Sequence, residues 1–133
     1  MIQELYKKVV IMTDHSKTVD FLKRREWARQ ERMDARFQEA WRDFESIVSY
    51  IVAEHSPKRV WQWGSLLDRK RFSDNSDLVI AIEGLESATE LFQILARAEE
   101  LTDFPLDIVE MEKIAPEYRA LIMRKGRLVR GST

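Results

Sequence analysis

Two stretches decide the fold: RVWQWGS at residues 59–65 and SDLVIAIE at residues 76–83. Both are rich in β-branched, aromatic and aliphatic residues and are bounded by glycine and turn residues, which predicts two short strands. Gly64 stops the first strand, and a glycine also follows the second. Because alternate residues of a strand share a face, Leu78 is predicted to face the core and Val79 the other side of the sheet.

A long helix is predicted before these strands. Its strongest signal is an apolar stripe at steps of three and four residues within residues 33–51. Ser16 or Thr18 is a suitable N-cap, and the pair Ser56-Pro57 ends the helix. The half before Met33 is highly charged, so we expect it to project from the body or to pair with another chain.

The rest of the chain alternates helices and strands. The predicted elements are a helix opened by a Ser87–Glu90 capping box, a strand over residues 106–110, a helix begun by Pro116 and capped by Gly126, and an edge strand over residues 127–129. This order predicts an α/β (α+β) fold in which a small mixed sheet packs against helices. We expect an N-terminal helical extension over residues 1–55, starting with a short helix, and a core over residues 56–133.

The composition narrows the classes of function. The 133 residues suit one domain, and 44% of them are hydrophobic, which is enough for one core. The chain has no cysteine and only two histidines, which argues against disulfides and against a thiolate or histidine-rich zinc site. It has no apolar run of membrane-spanning length and no recognisable signal peptide, so we expect a soluble cytoplasmic protein.

The charges are unevenly distributed, although the net charge is only −1. Residues 58–71 carry five bases and one acid, a net of +4, and residues 83–112 carry nine acids and one base, a net of −8. Residues 119–130 carry five bases and no acid. Two interpretations stay open: solvated faces of mixed sign, or basic blocks that flank a phosphate site. A contact between the last helix and nucleic acid also stays open.

Three places along the core have residues suited to chemistry. Gly64-Ser65 joins a strand to a helical turn, where free backbone N–H groups and a hydroxyl suit a phosphate. Asp77 stands at the start of an apolar strand, and Asp107 lies inside another. Burial of a carboxylate there costs free energy unless it has a partner or a metal. If these two strands are neighbours, Asp77 and Asp107 converge, and their oxygens suit Mg²⁺.

The combination of Gly64-Ser65, ten residues, Ser76-Asp77-Leu78-Val79 and then Asp107 on the next strand resembles the nucleotidyltransferase superfamily, of the DNA polymerase beta type. The match covers about residues 58–129 and is most similar to the minimal, single-domain branch. Members of this branch often form the antitoxin half of a two-gene toxin–antitoxin pair. The resemblance implies transfer of a nucleotidyl group from Mg²⁺-bound ATP, or another nucleoside triphosphate, to a hydroxyl acceptor.

The resemblance also implies a role for each matching residue. Gly64 and Ser65, with Ser76 beside them, would hold the triphosphate. Asp77 would bridge two Mg²⁺ ions, and Asp107 would ligate the catalytic ion and help to activate the acceptor hydroxyl. The implied partners are a nucleoside triphosphate and an all-helical, nuclease-like toxin of the HEPN type. A homodimer through the N-terminal helix is the other expectation.

One departure from the family pattern affects the chemistry. Val79 occupies the second Asp of the Asp-x-Asp motif, and valine offers no ligand to a metal. We therefore expect an impaired two-metal site and reduced activity. Two alternatives remain: a catalytically degenerate protein that works by binding its toxin, or an otherwise active enzyme in which Val79 is a local or engineered replacement. The interval after Ser65 is one residue longer than usual, a difference that a flexible loop absorbs.

Overall fold

The computed structural model describes residues 2–3 and 16–131. Its elements are α1 (Ser16–His55), β1 (Arg59–Trp63), a 3₁₀ turn (Ser65–Leu67), β2 (Leu78–Glu83), α2 (Ala88–Leu101), β3 (Leu106–Glu110), α3 (Pro116–Lys125) and β4 (Arg127–Arg130). This order confirms the predicted α/β class with a mixed sheet and a long N-terminal helix. The short helix predicted at the start of the chain lies almost entirely outside the described residues.

The chain divides into two compact units, residues 1–35 and residues 36–133. In the first unit, the described part of α1 carries three largely exposed apolar side chains, Phe21, Leu22 and Trp27. Glu26 and Arg29, one turn apart, form an ion pair at 2.7 Å. Within the described residues, no helix combines the length and apolar character needed to cross a bilayer.

The second unit is built on a four-stranded sheet with the strand order β3-β2-β1-β4. Strand β1 is antiparallel to both of its neighbours, whereas β2 and β3 are parallel. The parallel pair requires a crossover, which α2 supplies between Glu83 and Leu106. The N-terminal ends of β2 and β3 and the C-terminal end of β1 therefore lie at one edge of the sheet.

Both faces of the sheet are covered by helices. On one face, helix α3 contributes the buried Ile122 to a cluster with Trp61, Ala81 and Met111. Alternation then places Val60, Leu78, Ile80 and Ile82, all fully buried, on the other face. The buried residues of α1 and α2 supply its cover: Ala40, Phe44, Ile47, Val48 and Ile51 from α1, and Ile94 and Ala98 from α2.

Side-chain hydrogen bonds join α1 to both ends of α2. His55 at the end of α1 lies 3.1 Å from a carboxylate oxygen of Glu90, in the first turn of α2. At the opposite end, the Thr102 hydroxyl donates to Asp43 at 2.7 Å. These contacts fix the two helices to each other on the core side of the sheet.

Candidate functional site

The residues predicted to carry chemistry lie at one edge of the sheet. Val79 of β2 is the register partner of both Trp63 on β1 and Asp107 on β3. Because register partners on neighbouring strands share a face, these three side chains form one row. Gly64-Ser65 follows Trp63 directly, and Asp77 directly precedes β2. The structure thus brings the five predicted site residues to one edge, with Val79 on the same face as Asp107.

Gly64 and Val79 are in close contact. Gly64 has a φ of 101°, a conformation that favours glycine, and a Cβ added there would lie 3.1 Å from Cγ2 of Val79. The Val79 side chain is only 6% exposed. A methyl group of valine therefore lies against the glycine that is predicted to hold phosphate.

Ser65 and Ser76 are joined by a direct hydrogen bond. The Ser65 hydroxyl donates to Oγ of Ser76 at 2.6 Å, and Ser76 also accepts from the backbone N–H of Ser73 at 2.8 Å. Ser76 is buried. Since a serine hydroxyl has one proton to donate, Ser65 gives its proton to the protein rather than to a ligand in this arrangement.

The loop that separates Ser65 from Asp77 is anchored by an aromatic side chain. Phe72 is 4% exposed, and its ring centroid lies 5.3 Å from that of Phe37 and 6.4 Å from that of Phe104. The loop that contains the extra residue of this interval is therefore anchored to the core through Phe72. Packing of Phe72 holds Ser76 and Asp77 in place.

The two acids of the site are electrostatically coupled and unpartnered. Burial, followed by the charge of Asp77, raises the pKa of Asp107 above its usual range. No side chain or backbone group of the described residues donates a hydrogen bond to either carboxylate, and neither forms an ion pair there. The ionised form of Asp107 is therefore disfavoured at this edge of the sheet.

Tyr118 lies near the same two acids, although no motif in the sequence singled it out. Burial, followed by the charges of Asp107 and Asp77, raises the pKa of the Tyr118 phenol. The side chain packs against the cluster around Trp61 and is partly exposed. Its position in the first turns of α3, after a proline start, gave no sequence signal beyond an inward-facing aromatic residue.

The donor set does not fit a two-metal centre. Among the described residues, no group of three or more His, Cys, Asp or Glu side chains could hold a metal ion. The remaining nearby candidates in sequence are engaged elsewhere: Asp74 lies 3.8 Å from Arg36, and Glu83 binds Arg59 at the far end of β2. Asp77 and Asp107 are left with an apolar neighbour, Val79, in the position where the family pattern has a third carboxylate.

Comparison with known proteins gives a fold relationship. No family model matches the chain, and a search of curated proteins finds no match. A solved structure, described as "Crystal structure of the toxin-antitoxin with AMP-PNP", is similar with a TM-score of 0.55 and 16% sequence identity. The similarity covers 67% of this chain and 74% of that one. At this identity the comparison shows a shared fold.

Proposed function

We propose that this chain acts by binding a protein partner, in the manner of an antitoxin, and that it carries out little or no nucleotidyl transfer. The observation that carries the proposal is the side chain of Val79, which is packed on Gly64 in the row that contains Asp107. A third carboxylate in this position is what the nucleotidyltransferase pattern requires.

The energetic consequence of that substitution is large. Two metal ions stabilise both the attacking and the leaving oxygen in phosphoryl-transfer sites. Removal of one charged ligand weakens this stabilisation, and loss of a single electrostatic group in other active sites costs roughly 3–4 kcal/mol in the barrier. Without bound cations, the charges of Asp77 and Asp107 repel a triphosphate at Gly64-Ser65. The site is therefore poorly suited to hold the substrate or to promote its reaction.

The shared fold supports a partner-binding role. The similar structure is described as a toxin–antitoxin with AMP-PNP, and the sequence resembles the branch that supplies antitoxins. The proposed partner is an all-helical, nuclease-like toxin of the HEPN type. Under this proposal, neutralisation follows from binding and does not require ATP.

A second candidate is slow, Mg²⁺-dependent nucleotidyl transfer from ATP to a hydroxyl. It is favoured by one observation: Gly64, Ser65, Ser76, Asp77 and Asp107 lie at the same edge of the sheet. Burial, followed by the charge of Asp77, also raises the pKa of Asp107, so the two carboxylates lie within electrostatic range of each other.

A growth assay separates the two candidates. The product of the gene next to the one that encodes this chain is expressed until it inhibits growth, and this chain is then co-expressed. Wild type is compared with the double variant Asp77→Asn/Asp107→Asn and with Glu54→Gln, a control at an exposed acid of α1. We expect equal rescue by all three proteins and co-purification of the partner with each.

Two results contradict the proposal. Loss of rescue in the double variant, with the protein still folded and present, assigns the function to transfer chemistry. Failure of wild type to bind the neighbouring product removes the antitoxin assignment altogether.

A further inference from the structure

The last strand of the sheet contains an irregularity that brings two arginines to one face. Arg127 is the register partner of Gln62, and Arg130 is the partner of Val60. Three steps along β4 are therefore matched by two along β1, which is the pattern of a β-bulge. In a regular strand, residues three apart point to opposite faces. Because register partners share a face, both arginines here lie on the face that α1 covers.

The two arginines line one cavity between β4 and α1. Its volume is about 200 Å³, and α1 contributes Ser49 and Glu45 to its wall. Arg127, Arg130 and Ser49 are exposed, and neither arginine forms an ion pair with a described residue. Among the described residues that line the cavity, Glu45 is the one acid, so two positive charges face one negative charge. The cavity lies on the face opposite the row that contains Asp107.

Arg127 is held on two sides. Its Nε donates to Oε1 of Gln62 at 2.9 Å, and its guanidinium carbon lies 5.0 Å from the ring centroid of Trp41. Gln62 is fully buried, and this is the only hydrogen bond that its side chain makes in the described part of the chain. The two terminal nitrogens of Arg127 have no hydrogen-bond partner there. The guanidinium is thus fixed in place, and its outer pair of N–H groups is available to an acceptor.

We propose that this cavity binds a dianionic phosphate group, either a phosphate monoester or the free ion. Arg127 and Arg130 supply the charge, and the Ser49 hydroxyl is a further donor. Arginine pairs with phosphate and carboxylate oxygens through two parallel hydrogen bonds. A carboxylate has two oxygens and one charge, whereas a phosphate monoester offers three acceptor oxygens and a charge of about −1.5 to −2 at neutral pH. The phosphate therefore suits two arginines and a hydroxyl better. The inference goes beyond the proposed function and does not depend on it.

Calorimetric titration of inorganic phosphate into the protein tests the site. Wild type should bind one equivalent with a Kd of about 0.5 mM or less at low salt. Arg127→Gln and Arg130→Gln should each weaken binding by at least about tenfold, because each removes charge-assisted hydrogen bonds. Arg124→Gln is the matched control, since Arg124 is exposed in the same basic block but does not line the cavity. It should stay within about twofold of wild type.

Two further variants test the neighbours of the arginines. Glu45→Gln removes the one negative charge of the wall and should tighten phosphate binding by about two- to fivefold. Gln62→Leu has a similar volume but cannot accept from Arg127, so it should weaken binding in the wild-type background. In the Arg127→Gln background it should have no further effect. A merely structural role of Gln62 would weaken binding in both backgrounds.

The chemistry of the ligand is tested with three small probes. O-Phosphoserine that binds as tightly as inorganic phosphate identifies an esterified group as the ligand, and binding of inorganic phosphate alone identifies the free ion; either result supports the site. Dimethyl phosphate, a singly charged diester, and acetate should bind at least about tenfold more weakly. Equal binding of dimethyl phosphate would overturn the assignment of a dianion. Absence of saturable binding to wild type, binding that survives in Arg127→Gln and Arg130→Gln, or an equal loss in Arg124→Gln would overturn the site itself.

Discussion

The two ends of strand β2 carry acids in very different surroundings. We call the C-terminal end of β2 the far end, and its N-terminal end, next to Gly64-Ser65, the near end. At the far end, Glu83 binds Arg59 at 2.5 Å, and Glu110 of the neighbouring strand binds Lys113 at 3.0 Å. At the near end, Asp77 and Asp107 have no such partner in the described chain. This difference favours the near end as the candidate functional site.

The packing of apolar side chains is prominent at the near end. Phe72 fixes its loop, and Gly64 is locked against Val79. The far end instead has ion pairs and open cavities, one of about 410 Å³ next to Glu83 and Glu110. Changes at the near end should therefore act either through steric contacts or through the unshielded charges of its two acids.

The largest effect is expected when the aromatic anchor of the near end is removed. Phe72→Ala should lower the free energy of unfolding by about 3–5 kcal/mol, because a buried ring between two other aromatic rings leaves a cavity. Denaturant unfolding at low protein concentration measures the change. Phe92→Ala, at an exposed ring, should stay within about 0.5 kcal/mol of wild type. Equal effects of the two changes would show that Phe72 does not anchor the loop.

A smaller effect is expected at the contact between Gly64 and Val79. Gly64→Ala should cost about 1–3 kcal/mol, since alanine is strained at this φ and its Cβ would press on Val79. In the double variant Gly64→Ala/Val79→Ala the cost should be less than the sum of the single costs, because the steric part disappears. Strict additivity in this double-mutant cycle would show that the two residues do not touch.

The next effect is electrostatic and depends on pH. Because the folded-state pKa of Asp107 is raised, the ionised carboxylate destabilises the fold at neutral pH, and this penalty disappears below the unfolded pKa. Asp107→Asn should therefore stabilise the protein at pH 7 by at most about 0.5 kcal/mol. The effect is small because solvent screens the charge of this exposed side chain. The difference from wild type should vanish in acid. A destabilised variant at pH 7 would mean that Asp107 has an attractive partner.

The smallest effect concerns the tyrosine of the site. The charges of Asp107 and Asp77 help to raise the pKa of Tyr118, so Asp77→Asn and Asp107→Asn should each lower it towards its ordinary value. Ultraviolet titration, with Tyr118→Phe to assign the transition, follows the change. Glu83→Gln at the far end is the control and should leave this pKa unchanged. An equal response to all three variants would remove Tyr118 from the near-end site.

Local signals were sufficient for most elements of the fold. The Ser87 hydroxyl accepts from the Glu90 N–H, and Pro116 begins α3, as predicted. Gly126 does cap α3, but its φ is −78°. Glycine is therefore not needed here for the left-handed conformation that is usual at helix C-caps. A Cβ there would lie 2.5 Å from the Ile122 carbonyl oxygen and 2.8 Å from that of Gln62. Sequence spacing predicts a glycine cap and cannot reveal this close approach of a neighbouring strand.

The candidate site was predictable in its members and less so in its surroundings. Strand alternation placed Val79 on the face opposite Leu78, and the motif grouped it with Asp107; the register makes Val79 and Asp107 direct partners. The anchoring of the loop by Phe72 and the inclusion of Tyr118 depend on contacts between distant segments. Such contacts leave no local pattern, because one buried aromatic residue looks like any other in the sequence.

The most direct test of the account is a calorimetric titration of Mg²⁺–ATP into wild type, Val79→Asp and Val79→Asn. The Asn variant matches the shape of the Asp variant without its charge, and circular dichroism establishes that each protein is folded. The account predicts no Mg²⁺-dependent binding to wild type or to Val79→Asn at millimolar nucleotide, and measurable binding to Val79→Asp. Mg²⁺-dependent binding of ATP to wild type, as tight as to Val79→Asp, would contradict it.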